Sequence, residues 1–146
     1  MTRYTLTPQA DLAVFYAADA RRYAGTPVLA QVSLDVFRRF YGGFPSRGFA
    51  CDGRPIGGAL FDGKGTHLAV LPEHHGHWGR LWAPTLDWLF GLKPEMHIDI
   101  ETDNQKALAF MERNGWRRMA GSPPGSVRFL MRAVPGRFRQ RLPQVG

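Results

Sequence analysis

The chain has 146 residues, 44% of them hydrophobic, and a formal net charge of +7. That size and apolar share fit one domain burying roughly two-thirds of its unfolded surface, which excludes disorder as the main state. No stretch reaches the roughly 18 to 20 uncharged apolar residues of a membrane helix and the opening MTRYTLTPQADL lacks the apolar centre of a secretory signal, so a soluble cytoplasmic protein is expected.

Taken in chain order, RYTLT (3 to 7) alternates as a strand should. From Pro8 onwards Leu12, Phe15 and Ala18 recur at helical spacing, with proline tolerated in a first turn. A second short helix is predicted where Ser33 can cap SLDVFRRFY and Gly42-Gly43 can end it. Three strand-like pieces follow, separated by Asp52-Gly53 and by Asp62-Gly63-Lys64-Gly65, the loops of an antiparallel meander. Trp78, Leu81, Trp82, Leu86, Leu89 and Phe90 predict a helix over about 77 to 90 closed by Gly91, with Pro84 forcing a kink or a late start. EMHIDIET places Met96, Ile98 and Ile100 on one face and His97, Asp99 and Glu101 on the other, a half-exposed strand. Asp103 or Asn104 then caps a helix that stops at Gly115, and SVRFLMRAV is the last strand. The order β-α-α-β-β-β-α-β-α-β-β gives an α/β (α+β) fold: a mixed, mainly antiparallel central sheet flanked by helices, with one strand-helix-strand crossover.

The lone cysteine, Cys51, allows neither an internal disulfide nor a cysteine-based zinc site. Positive charge gathers in the doublets Arg21-Arg22 and Arg38-Arg39, in Arg113, Arg117 and Arg118, and in Arg137, Arg139 and Arg141. Such a surplus favours an anionic partner, nucleic acid or a polyphosphate cofactor, without choosing between them.

Two motifs carry a family resemblance. Val70-Leu71-Pro72 followed by HGHWGR is similar to a strand ending in V-x-P and then Arg/Gln-x-x-Gly-x-Gly/Ala. Asn104, Ala107, Phe110-Met111 and Gly115-Trp116 are similar to a helix opened by Asn, followed by a small residue, an aromatic pair and Gly-Phe. With this element order, the chain resembles the GCN5-related N-acetyltransferase superfamily. The likeness in layout covers most of the chain, and its specific motifs lie between Thr66 and Trp116. It implies a single acyltransferase domain over 1–135 with a basic tail at 136–146, and acetyl-CoA as co-substrate without a metal.

A turn whose backbone N–H groups converge at a helix N-terminus attracts phosphate, because unsatisfied donors and the helix dipole act together. The resemblance implies that Leu68, Ala69 and Val70 pair with the pantetheine arm. It places His75 at the first position of the phosphate motif, Gly76, His77, Trp78, Gly79 and Arg80 in the rest of the turn, and Asn104 at the next helix. Trp78 and Arg80 stand where the family usually has glycine, so either Trp78 turns into the core or the cradle is weakened. Arg80 offers a charge-assisted contact to phosphate instead. Gly76-His77-Trp78 is similar to a Gly-x-Trp form of this turn in phage-encoded members of the superfamily.

Acetyl transfer to an amine needs a base, donors for the thioester oxygen and an acid for the thiolate. Asp99 stands five residues before Asn104, where several members similar to this chain place a catalytic carboxylate, and is the implied base, directly or through water, with Glu101 second. The alternative is that both are solvated strand residues. Met111 replaces the tyrosine that many members use as acid, which leaves Tyr16, Tyr23, Tyr41 or His67 as substitutes, or no acid at all. His74, His75 and His77 with Glu73 are zinc-ligand types, but neighbours in one turn seldom point at one centre, so phosphate contact or plain exposure is expected and no metal.

The sequence therefore reads as an acetyl-CoA-dependent N-acyltransferase acting on an amine of a small molecule or protein. Two alternatives stand beside it, a phage-type relative that modifies nucleic acid and a fold kept as a non-catalytic structural or virion protein. Expected partners are an unidentified amine-bearing acceptor, nucleic acid through the +7 charge, and a second copy of the chain as a homodimer, with no membrane. The expected location is the cytoplasm, or the host cytoplasm or virion for a phage-encoded chain.

Overall fold

A computed structural model of the chain describes residues 2–22 and 32–133. The expected basic tail at 136–146 and Tyr23 lie outside the described residues, as do the side chains of Arg21 and Arg22.

Strand β1 (Tyr4–Thr7) leads into α1 (Leu12–Arg22). The helix starts later than Pro8 because Asp11 caps it, its Oδ1 accepting from Val14 N at 3.1 Å. Helix α2 (Leu34–Tyr41) is capped by Ser33 as expected, the side chain accepting from Val36 N. The meander is β2 (Ser46–Cys51), β3 (Arg54–Phe61) and β4 (Gly65–Val70). Two 3-10 turns, Pro72–His74 and Gly79–Leu81, then precede α3 (Trp82–Leu92). Pro84 is the third residue of α3, where its missing N–H would have had no intrahelical partner, so the helix starts late instead of kinking. Gly91 does not close it: the helix runs on to Leu92, and Lys93 is the cap.

Strand β5 (Glu95–Glu101) alternates in burial residue by residue, and α4 (Gln105–Arg113) starts at Asn104, whose side chain accepts from Ala107 N. Gly115 ends that segment with φ +74, a conformation few other residues adopt readily. The short β6 (Arg117–Met119) and β7 (Ser126–Arg132) complete a seven-stranded sheet of order β1-β2-β3-β4-β5-β7-β6.

Helices α3 and α4 pack on one face: Leu86, Leu89, Ala107 and Met111 meet Met96, Ile98, Ile100, Phe129 and Met131. Helices α1 and α2 cover the other, where Phe15, Ala18 and Phe37 meet Leu60 and Ala69. Each fully buried large apolar side chain contributes about 1.5 to 3 kcal/mol, so the two layers fix the sheet from both sides.

Strands β4 and β5 run parallel through the α3 crossover, and their register holds only at Gly65↔His97 and Thr66↔Ile98. Strand β4 nevertheless continues to Val70 and β5 to Glu101. Beyond Thr66 and Ile98 the two strands part, and the sheet opens into a wedge.

Candidate active site

The wedge is a cavity of about 220 Å³, with Leu68, Ala69 and Val70 on one wall and Ile98, Asp99, Ile100 and Glu101 on the other. His75 and Asn104 also line it and connect it to a larger cavity of about 700 Å³ beside the turn after β4, which they share with Val70, Trp82, Glu101 and Ala107. Gly76, Trp78 and Gly79 line this second cavity from the turn. Within the turn, the amides of His74, His75, His77 and Leu81 are used by carbonyls three residues back. The N–H groups of Gly76, Trp78, Gly79 and Arg80 find no acceptor among the described residues. Orphan donors just ahead of a helix N-terminus are what an anion needs.

Of the two outcomes open for Trp78, the structure takes the first. Its ring stacks on Phe49 and Trp82, with centroids 5.2 Å away in each case, and its bulk is absorbed by the core edge while one flank still borders the cavity. The three histidines of the turn go separate ways. His74 Nδ1 lies 3.1 Å from the Tyr4 hydroxyl, His75 Nε2 donates to the Val70 carbonyl at 2.7 Å, and His77 is exposed. His77 and Arg80 line neither cavity, so these two of the expected coenzyme contacts stand apart from the rest. Asn104 lines both and also holds its helix, with Oδ1 3.2 Å from Ala107 N.

The polar face of β5 brings Asp99 and Glu101 to the wedge. Asp99 lies directly across the sheet from Arg128 of β7, and the pair is bidentate: Arg128 Nε donates to Oδ1 at 2.8 Å and Nη2 to Oδ2 at 3.0 Å. The Asp99 bonds, more than the opposing burial, raise the Arg128 guanidinium above its ordinary value, so it stays charged. A carboxylate has about four lone-pair sites; Arg128 takes two, and the other two are left for water or an amine. His97, on the same face, is lowered first by burial and then by the Arg128 charge, and is neutral at pH 7. His67 of β4 donates through Nε2 to Asp62 Oδ2 at 2.9 Å. Burial pushes the Asp62 carboxyl up, but the amides of Gly65 and Lys64 together with the His67 ring outweigh it and bring the value down to about 2.

Among the tyrosines considered as acids, Tyr16 donates to the Val32 carbonyl and Tyr41 packs against the His67 ring at 6.2 Å; neither lines the two cavities. Met111, at the tyrosine position, is fully buried in the core. Residues the sequence reading passed over are Arg128, which needed the β5–β7 register to be seen, and Lys106, which lines the second cavity with Arg113. The spacing of Lys106, Phe110 and Arg113 on one helix face was the available signal.

No family model and no curated protein matches the chain. Solved structures do. A GCN5-related N-acetyltransferase of Rhodopseudomonas palustris matches with a TM-score of 0.62 at 19% identity, over 88% of this chain and 95% of that one. The PaiA N-acetyltransferase of Thermoplasma acidophilum, in complex with coenzyme A, matches with a TM-score of 0.59 at 14% identity, over 90% and 99%. The yncA protein of Salmonella typhimurium, solved with its cofactor acetyl-CoA, matches with a TM-score of 0.58 at 20% identity, over 88% and 93%. These neighbours are bacterial and archaeal and give the phage-encoded branch no support. With its seven-stranded sheet, its parallel β4–β5 crossover and these neighbours, the chain has the fold of the GCN5-related N-acetyltransferases.

Proposed function

We propose that the protein transfers an acetyl group from acetyl-CoA to a primary amine. The observation that carries this reading is the parting of β4 from β5 after Thr66 and Ile98, into a cavity that continues to a turn with four unmatched amides. Pyrophosphate would lie at the turn and pantetheine along β4. From Val70 back to Thr66 is four residue steps of about 3.3 Å, or about 13 Å, the order of length of a pantetheine arm, so the thioester arrives between β4 and Asp99. That the PaiA and yncA structures hold coenzyme A and acetyl-CoA supports a coenzyme A co-substrate.

In the reaction the amine nitrogen attacks the thioester carbon, the C–N bond forms, and the C–S bond breaks with its electron pair on sulfur. Asp99 takes the proton from the amine through a water on the lone pairs that Arg128 leaves open, and Glu101, which lines both cavities, relays that proton to solvent. The two bonds from Arg128 hold that acceptor in one orientation. The thiolate needs no protein acid: a free thiol ionises at about pH 8.5, and water protonates the product.

Acetyl-CoA at about 100 times its dissociation constant should stabilise the fold by about 2.7 kcal/mol, a rise in melting temperature of about 5 to 10 °C for a chain of this size. A thermal melt that does not move at saturating acetyl-CoA would sink the enzyme reading and leave the fold as a structural module.

A further inference from the structure

Helix α2 buries one stripe and leaves a second apolar stripe in solvent. Phe37 and Tyr41 turn into the layer over β3 and β4, yet Val36 is 54% exposed and Phe40 63%. The two lie four positions apart and so share one face of the helix. Among the described residues, the large apolar side chains left exposed are these two, Leu92 and Met119, and of these Val36 and Phe40 alone share an element. Phe40 is held before any partner arrives, its ring centroid 4.8 Å from that of Tyr41 and 5.7 Å from that of Phe44, so docking it loses little side-chain freedom.

Asp35 and Arg39 flank this face, each one position before an apolar residue. Neither is ion-paired among the described residues, whereas Arg118, Arg128 and Arg132 each hold a carboxylate. The helix therefore carries its own complement. When two copies of α2 pack antiparallel about a twofold axis, Val36 meets the partner's Phe40 and Phe40 meets the partner's Val36. The same flank of both helices then meets, so Asp35 faces the partner's Arg39 and Arg39 faces the partner's Asp35. The sheet edges are poor rivals. Their strands are short, four residues in β1 and three in β6, with Pro8 directly after the first and Arg117 and Arg118 in the second, features that discourage strand pairing between chains.

We propose that α2 is a self-association surface, through which two copies of the chain form an antiparallel helix pair with Val36 and Phe40 at its centre and Asp35–Arg39 pairs on its rim. Two eight-residue helices, each about 12 Å long, cover by themselves less than the roughly 1,200 Å² at the low end of stable interfaces. The dimer is therefore weak and forms as concentration rises. The surface lies in the helix layer opposite α3 and α4, and the proposal is independent of the acyl-CoA reading.

Sedimentation equilibrium of the full chain between about 1 μM and about 1 mM tests it. The mass is expected to rise from one chain towards two across that range, and Phe40→Glu should hold it at one. Asp35→Arg or Arg39→Asp alone sets like charges against each other on both rims and should weaken association about tenfold; the two together exchange the signs and should restore it. A cooperative circular dichroism melt for each variant shows that it folds. A single-chain mass at every concentration overturns the proposal, as does a dimer that Phe40→Glu leaves intact or a double exchange no tighter than either single. A chain that stays monomeric and binds anionic lipid vesicles through Phe40 also overturns it, and gives the same face to a lipid surface.

Discussion

Replacing Asp99 with asparagine is expected to lower kcat/KM for acetyl transfer by about 10² to 10⁴-fold, the usual contribution of a positioned proton acceptor, while leaving the affinity for coenzyme A unchanged. The asparagine has the same shape, and its amide oxygen can keep one bond from Arg128, whose two donors now hold Asp99 at 2.8 and 3.0 Å. What it loses is the charge, and with it the place where an amine proton can go. The coenzyme should be indifferent, because its phosphates would sit at the turn, at the other end of β4 from Asp99. Thiol release from acetyl-CoA, with the primary amine that the wild type acetylates fastest in a panel, gives the rate, and calorimetry with coenzyme A gives the affinity. A rate within threefold of wild type would show that Asp99 and Arg128 form only a structural cross-strand pair.

The second large effect belongs to the backbone that holds the wedge open. A Cβ added at Gly57 would lie 2.0 Å from the Ala69 carbonyl oxygen and 2.8 Å from Val70 Cα. Both atoms are main chain of β4, which cannot swing away as a flexible side chain could, and Gly57 is paired with Val70 in the ladder. Gly57→Val should therefore cost about 3 kcal/mol or more, at the upper end of overpacking effects, as β3 and β4 are forced apart at the position where Val70 enters both cavities. Urea unfolding followed by circular dichroism reads this as a fall in the midpoint, and an unchanged midpoint would mean that the two strands do not touch as described.

Local features of the fold were legible in the residues. Strict alternation in EMHIDIET, the caps at Ser33 and Asn104 and the turn glycines are signals that act within a few positions, and the structure follows them. Pro84 was ambiguous because either a kink or a late start accommodates a missing donor, and only the packing of α3 decides between them. The site was harder to read. That β4 and β5 pair for two residues and then part is a matter of register between distant segments, and no local pattern encodes it. Asp99 was singled out only through the family resemblance, by its place five residues before Asn104, and its partner Arg128 is 29 residues away and visible only through the β5–β7 pairing. Lys106 was passed over and Arg113 counted only within a basic cluster that favours an anionic partner; that both line the cavity beside the turn became visible in the fold. Trp78 read as an obstacle in a glycine position, and a neighbouring ring on either side is what removes it.

The central claim is that the gap between β4 and β5 holds a coenzyme. A crystal structure of the protein soaked with coenzyme A tests it most directly. The expected result is continuous density running from the amides of Gly76, Trp78 and Gly79 along Val70 and Leu68 to a sulfur beside Asp99. An empty wedge at saturating coenzyme A, with Leu68 and Val70 unmoved, would contradict it.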